Sequence, residues 1–296
     1  MFSRVIIATD LSPASTSVVQ CAGRLRAFGA KECLLLQCLS VQEAASTAFS
    51  YRTDALESEL REQTAILEQQ GYKVEARVVP GFAKYEISRI ATEENYALIV
   101  IGSRGQSLAS ETLLGSVAHG VILNAVKPVL LIPVKLTTEN GEACVQTGRC
   151  DFSEHILFAT DFSENADHAF TYVEKLVSDG ARHVTLVHVQ DKARLDPHLM
   201  HRLDEFNKID MARLEELKQA LQTKGPAAID IELPFGSPFV EIVRLINERS
   251  AHLVVMGSQG RGFIEELFLG SVSHNVARHS DAAVLLVPAK RSAEEL

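Results

Sequence analysis

The chain has no tryptophan, and aromatic residues make up only 6% of its 296 residues. Basic charge is also short: 29 lysines and arginines face 38 acidic side chains, a formal net charge of -9. That balance argues against non-specific binding to nucleic acid or to anionic membranes, while leaving room for a locally basic phosphate pocket. No apolar run reaches the roughly 18 residues that a membrane-spanning helix needs. The amino terminus, MFSRVIIATD, enters a strand pattern at once and does not read as a signal peptide. The five cysteines are too few and too irregularly spaced for a disulfide framework. Cys33 and Cys38 fall in an expected buried strand and Cys21 in a helix, where free cysteine is a small hydrophobe. Cys144 and Cys150 lie in a polar segment and fit no common zinc spacing. The expectation is reduced thiols throughout, exposed at Cys144 and Cys150, in a cytoplasmic protein. A redox switch at that pair is the alternative.

Against those absences stands a glycine pattern that occurs twice. Gly102-x-x-Gly105 is followed after nine residues by Gly115-Ser116, and Gly257-x-x-Gly260 after nine by Gly270-Ser271. Each copy follows a short apolar run, Ala97 to Ile101 or Leu253 to Met256, and leads into a helical pattern. A strand that ends in glycines and re-enters a helix at Gly-Ser suits phosphate: glycine allows close backbone approach and positive φ, and the helix start offers free N–H groups. The repeat is wider than the loop. VIIATDLS (Val5 to Ser12) recurs as ILFATDFS (Ile156 to Ser163), and the halves align without a gap from Asp10/Asp161 to Cys38/Val189. Near the ends, Lys127 to Pro133 recurs as Asp281 to Pro288. Identical internal spacing in two copies implies a duplicated structure.

Each half alternates short apolar strands with amphipathic helices, which predicts a parallel sheet covered on both faces. We read domains at residues 1–135 and 152–290, each of ordinary single-core size, joined by a polar, aperiodic linker at 136–151. Pro133 and Pro288 place the last strands, Val129 to Val134 and Val284 to Pro288, at sheet edges. Asp10 and Asp161 could hold a ligand or cap the helix that follows them. His119, His274 and His188 read as structural.

The glycine pattern after a strand, with an Asp at the end of the first strand, resembles the universal stress protein family, here as a tandem member. The residues that carry the resemblance are Asp10, Gly102, Gly105, Gly115 and Ser116, then Asp161, Gly257, Gly260, Gly270 and Ser271. The family implies two five-stranded parallel α/β sandwiches of strand order 3-2-1-4-5, of the adenine-nucleotide alpha-hydrolase-like kind, with ATP or AMP at the carboxyl edge. By that resemblance Asp10 and Asp161 meet the ribose, beside Thr9 and Thr160. The backbone at Cys38 and Val189 reads the adenine edge, and Ile101 and Met256 pack on the base. Gly102, Gly105, Gly257 and Gly260 wrap the phosphates, with Mg2+ accompanying them. Gly115-Ser116-Val117 and Gly270-Ser271-Val272 donate to the phosphates, and Ser273 adds a hydroxyl where the first domain has Ala118. The first loop also has Ser107 where the second has Gly262, so tighter binding is expected in the second domain. The family further implies pairing through the last strands, as a pseudo-dimer within the chain and as a homodimer, and a regulatory protein partner.

Neither half has a G-x-x-x-x-G-K-[ST] loop or a G-x-G-x-x-G fingerprint, and neither glycine loop carries a lysine. Fast phosphoryl transfer needs such placed charge. A regulatory stress-response protein that binds nucleotide, with at most weak ATP hydrolysis, is the leading expectation. A slow ATPase or nucleotidyl-transfer enzyme, or a nucleotide-free scaffold, is the alternative.

Overall fold

A computed structural model of the chain describes residues 1–40, 49–104, 114–139, 142–195, 199–260 and 269–290. The chain divides into two compact units, Met1–Cys150 and Asp151–Leu296. The N-terminal unit runs β1 (Arg4–Thr9), α1 (Pro13–Ala22), β2 (Glu32–Leu39), α2 (Phe49–Gln69), β3 (Lys73–Pro80), α3 (Ala83–Glu93), β4 (Leu98–Gly102), α4 (Ser116–Asn124) and β5 (Val129–Ile132). A hairpin follows, β6 (Val134–Glu139) and β7 (Glu142–Thr147). The C-terminal unit runs β8 (Ile156–Ala159), α5 (Glu164–Ser178), β9 (His183–Val187), β10 (Gln190–Asp191), α6 (Lys192–Leu195), α7 (Leu203–Gln222), β11 (Ala228–Glu232), β12 (Phe235–Gly236), α8 (Pro238–Glu248), β13 (Leu253–Gly257), α9 (Ser271–His279) and β14 (Ala283–Val287).

Both units have the expected parallel order 3-2-1-4-5: β3-β2-β1-β4-β5 in the first and β11-β9-β8-β13-β14 in the second. The continuous apolar runs occupy the covered middle: Val5, Ile6 and Ile7 in β1, and Ile156, Leu157 and Phe158 in β8, have no exposed surface. The outer strand β3 is exposed or half-exposed along its length, which fits its alternating sequence. Helices bury one stripe each. In α5 it is Ala166, Ala169, Phe170, Val173, Leu176 and Val177, a helical period.

One topological feature positions everything that follows. β8 pairs with β13 only from Leu253↔Ile156 to Val255↔Phe158. Beyond that, Ala159 pairs only with β9, and Met256 and Gly257 only with β14. In the N-terminal unit β1 and β4 part after Ile7↔Val100. The two middle strands thus separate at their carboxyl ends and open a crevice, as the reversal of strand order in a doubly wound sheet requires.

Two expectations are corrected. The segment 136–151 is not a structureless linker. Its first part pairs antiparallel, Val134↔Thr147 through Glu139↔Glu142, and β7 lies against α1. A ribbon that covers one face needs few apolar residues, so its composition passes for a linker. Nor are all the thiols free. Cys21 of α1 and Cys150 form a disulfide with Cα atoms 5.3 Å apart, across a separation of 129 residues that no local pattern reveals. Cys33 and Cys38 are free, and burial pushes both up to about 12, so neither is a thiolate at neutral pH.

At the opposite edge of the C-terminal sheet, His155 is 6% exposed and stacks on His183 with ring centroids 3.9 Å apart. Its Nδ1–H donates to the Arg249 carbonyl (2.9 Å), and its Nε2 accepts from the Thr185 hydroxyl (2.8 Å). Burial, then the neighbouring His183, lower its pKa to about 4.

Two outcomes follow from these contacts. Cys150→Ser should destabilise the N-terminal unit by about 2–4 kcal/mol, because the disulfide limits the unfolded chain. Urea midpoints of the oxidised proteins read this, and equal midpoints would show that the bond does not hold the unit together. His155, neutral when folded, contributes stability above its unfolded pKa of about 6.5, lost as pH falls toward 4. His155→Gln should flatten that decline, up to about 3 kcal/mol between pH 7 and 4. An unchanged slope in denaturant titrations at several pH values would assign the acid sensitivity elsewhere.

Candidate functional site

The crevice of the C-terminal unit holds a cavity of about 420 Å³. It is lined by all ten residues that the sequence singles out in this half: Thr160, Asp161, Val189, Met256, Gly257, Gly260, Gly270, Ser271, Val272 and Ser273. The strands supply the floor, the turn after β8 one side, and the loops before α9 the other.

The turn after β8 is built identically in both units. The Leu11 and Phe162 N–H groups donate to the Thr9 and Thr160 hydroxyls at 3.0 and 2.9 Å. Ser12 and Ser163 donate through N–H (3.1 Å) and hydroxyl (2.6 Å) to Oδ1 of Asp10 and Asp161. Leu11 and Phe162 sit at φ of 59° and 56°, a strained left-handed conformation for such side chains. The helix caps themselves are Ser12 and Ser163, whose hydroxyls accept from the Ser15 and Ala166 N–H groups. Each Asp therefore braces its cap and is not the cap.

The loop glycines do something other than expected. None of the described ones, Gly102, Gly115, Gly257, Gly260 and Gly270, lies at positive φ. They supply room. A Cβ on Gly257 would stand 2.7 Å from Asn165 Nδ2, and one on Gly260 2.7 Å from Asp161 Oδ2. On Gly102 it would stand 3.0 Å from the Arg104 carbonyl. Gly270 precedes α9 with no side chain capping the first turn, so the N–H groups of Ser271, Val272 and Ser273 open toward the cavity at the positive end of the helix. Ser273 differs from expectation. Its buried hydroxyl donates to the Gly257 carbonyl at 2.8 Å, so it props the loop and its proton is committed.

Val189 carries the most telling detail. The backbone ladder beside it runs from the His188 N–H to the Glu232 carbonyl (3.1 Å) and from the Gln190 N–H to the Pro234 carbonyl (2.8 Å). Alternation along an extended chain turns the Val189 N–H and C=O the other way, into the crevice, where neither has a partner among the described residues. Val189 is only 7% exposed. Buried backbone groups are nearly always paired, so this edge is poised for a ligand or water.

The sequence did not reveal the outer wall. His188, just after β9, and Gln190, Asp191, Arg194, Phe206 and Asp210, from β10, α6 and α7, also line the cavity. His188, read as packing, is buried and presents Nδ1 to the Thr160 carbonyl at 2.8 Å. Apart from His188, these residues lie beyond the gap-free part of the repeat, and His188 faces a different residue, Gln37, in the other half, so the repeat gives no signal for them. Among the described residues, no cluster of three or more His, Cys, Asp or Glu could hold a metal ion.

The N-terminal crevice is occupied differently. Thr9 donates to Gln63 Oε1 at 2.7 Å, and Gln63 Nε2 donates to Thr16 at 3.0 Å, so an α2 side chain lies over the position that is open at Thr160. Ile101 is buried, Gly102 ends β4, Cys38 is half-buried, and Gly115, Ser116 and Val117 open α4, with Val117 exposed. Gly105, Ser107 and Gly262 lie outside the described residues.

Comparison with known proteins agrees with this geometry. The sequence profile described as the universal stress protein family matches residues 1–133 and 153–288. A universal stress protein of Methanocaldococcus jannaschii is 31% identical over 156 residues, 46% of this chain and 96% of that one. The crystal structure of a universal stress protein from Archaeoglobus fulgidus covers 97% of this chain and 99% of its own, with a TM-score of 0.73 at 26% identity. A Pseudomonas aeruginosa structure (TM-score 0.60, 15% identity, 97% of this chain and 93% of that one) shares the fold.

The bracing scheme has a direct test. Ser163→Ala should cost about 1 kcal/mol of stability in the C-terminal unit through its lost cap. Asp161→Ala should cost less, because Ser163 still caps α5. Denaturant midpoints in the reverse order would make Asp161 the principal anchor of that helix.

Proposed function

The chain belongs to the universal stress protein family, and on that premise we propose that its C-terminal unit binds an adenine nucleotide, ATP or AMP, in the crevice. The observation that carries this reading is the unpaired backbone edge of Val189 in a cavity of about 420 Å³, within the usual range for small-ligand sites. A base with an acceptor beside an amino group complements an N–H beside a C=O. Asp161 is an acceptor suited to a ribose diol. The crowding at Gly257 and Gly260 and the uncapped start of α9 suit phosphates that approach the backbone closely. Mg2+ would enter with the phosphates.

The reading is regulatory binding and not rapid turnover. Among the described lining residues the charged groups are Asp161, Asp191, Asp210 and Arg194, and Arg194 leans on Asp191 at 3.5 Å. No placed cation awaits a transferring phosphoryl group there, and efficient transfer depends on one. We assign the protein to a cytoplasmic stress response, where the reducing pool would open the Cys21–Cys150 bond. Pairing of domains or chains through the outermost strands β5 and β14, and a regulatory protein partner, belong to the same proposal.

Isothermal titration of the full chain with ATP tests it. Binding should be lost in Gly270→Val and largely kept in Gly115→Val, because Gln63 covers the N-terminal crevice. The reverse pattern would move the main site to the N-terminal unit, and no heat with any adenine nucleotide would leave a scaffold. Asp161→Ala should weaken ATP by about 10- to 150-fold, the scale of a hydrogen bond to a charged group. Lowered stability with unchanged affinity would remove Asp161 from the site.

A further inference from the structure

Gln190 is 5% exposed and lies on the cavity wall directly after Val189. Its Nε2 donates to Asp210 Oδ2 at 2.7 Å. A carboxylate only accepts, so the amide nitrogen must face Asp210 and Oε1 must face away from it. Oε1 has no partner among the described residues, yet it is not among the sealed, unpaired polar atoms of the interior. It is the uncommitted acceptor of a residue that lines the cavity. Asp210 is itself held in place: Arg213 stands 3.8 Å from Oδ1, and His188 Nε2 stands 3.6 Å from Oδ2. The His188 ring is fixed by its bond to the Thr160 carbonyl and by a tilted contact with the Phe162 ring, with centroids 4.5 Å apart. The orientation of one amide is thus set by a chain of contacts that reaches the first strand.

From this arrangement we propose that Gln190, positioned by Asp210, is the specificity-determining residue of the C-terminal site and selects 6-amino purines over 6-oxo purines. The proposal rests on the nucleotide reading and deepens it. The wall presents one donor, the Val189 N–H, and two acceptors, the Val189 C=O and Gln190 Oε1. A 6-amino purine offers the complement: a ring nitrogen that accepts, and an amino group with two N–H bonds, one for each acceptor. A 6-oxo purine offers a protonated ring nitrogen against the N–H and an oxygen against two acceptors. A site built to bond an N–H group discriminates strongly against an analogue that lacks it, because its own buried acceptors are left unpaired. The gap-free alignment of the halves places Gln37 at the position of His188, and continued one residue past Cys38/Val189 it places Leu39 at that of Gln190. The N-terminal unit therefore has no such acceptor at that point.

The test is a comparison of ATP with ITP, which differ in the six-position group, on the full chain carrying Gly115→Val to silence the N-terminal crevice. Dissociation constants come from titration calorimetry, with thermal melts to verify folding. Without further change, ATP should bind at least about tenfold tighter than ITP, the scale of one or two hydrogen bonds. Gln190→Leu should bring the two within about threefold, chiefly by weakening ATP. Asp210→Asn, which lets the amide turn over, should narrow the ratio while keeping the cavity's shape. It also serves if Gln190→Leu fails to fold. An initial ratio below about threefold, or one that both variants leave unchanged while ATP still binds, overturns the role of Gln190 and leaves nucleotide binding standing. Failure of ATP and ITP alike to bind overturns both.

Discussion

The parting of β8 from β13 after Phe158↔Val255 is the constraint on which the site depends. Strands buried on both faces pair as long as neighbours continue alongside. Where the order reverses, the outgoing connections leave to opposite sides and the pairing stops. The backbone past that point must find other partners. Thr160 turns back to the Val187 carbonyl, Ser258 to Val287, and Gly270 to Ser258. Val189 is left with neither group paired among the described residues. A binding edge here follows from strand order, and the side chains refine what fills it.

Refinement differs between the halves, and their common origin makes the difference readable. Thr9 and Thr160 hold the next N–H in the same way, but only Thr9 is also covered, by Gln63. Asp10 accepts a further hydroxyl from Ser15 at 2.9 Å, whereas the C-terminal unit has Ala166 at that point. Asp10 is drawn more fully into holding its own turn. The duplicated scaffold therefore keeps its bracing in both copies, while the second leaves more of its crevice unspent on itself.

Much of this was legible in the sequence. Apolar strand runs predicted the covered parallel sheet, while the order 3-2-1-4-5 and the residues that surround the cavity came from the family resemblance carried by the repeated Asp and the doubled glycine spacing, local patterns that each occur twice. The rest depends on contacts distant in sequence. Nothing near Cys21 points to Cys150, and nothing near Gln190 points to Asp210 on another helix. The hairpin at 134–147 was hidden because a one-faced ribbon is mostly polar. The glycines were found for a reason that is only half right: they are needed for space, while the strained backbone falls on Leu11 and Phe162. Those two follow the Asp in the repeat, and only the bonded turn explains their strain.

The charge of the cavity then bears on what kind of site this is. Among the described lining residues, three of the four charged side chains are carboxylates: Asp161 braces a turn, Asp191 receives Arg194, and Asp210 orients Gln190. Each has a task within the protein, and together they give the wall an acidic balance. On the proposed reading, the described groups that would meet an anionic ligand are the N–H groups at the start of α9, joined by a cation that would arrive with the phosphates. On the proposed reading, such a site would hold a nucleotide by its shape and its base edge. On that reading selectivity would rest on the Val189–Gln190 segment, with the phosphate end setting how strongly binding responds to metal and salt.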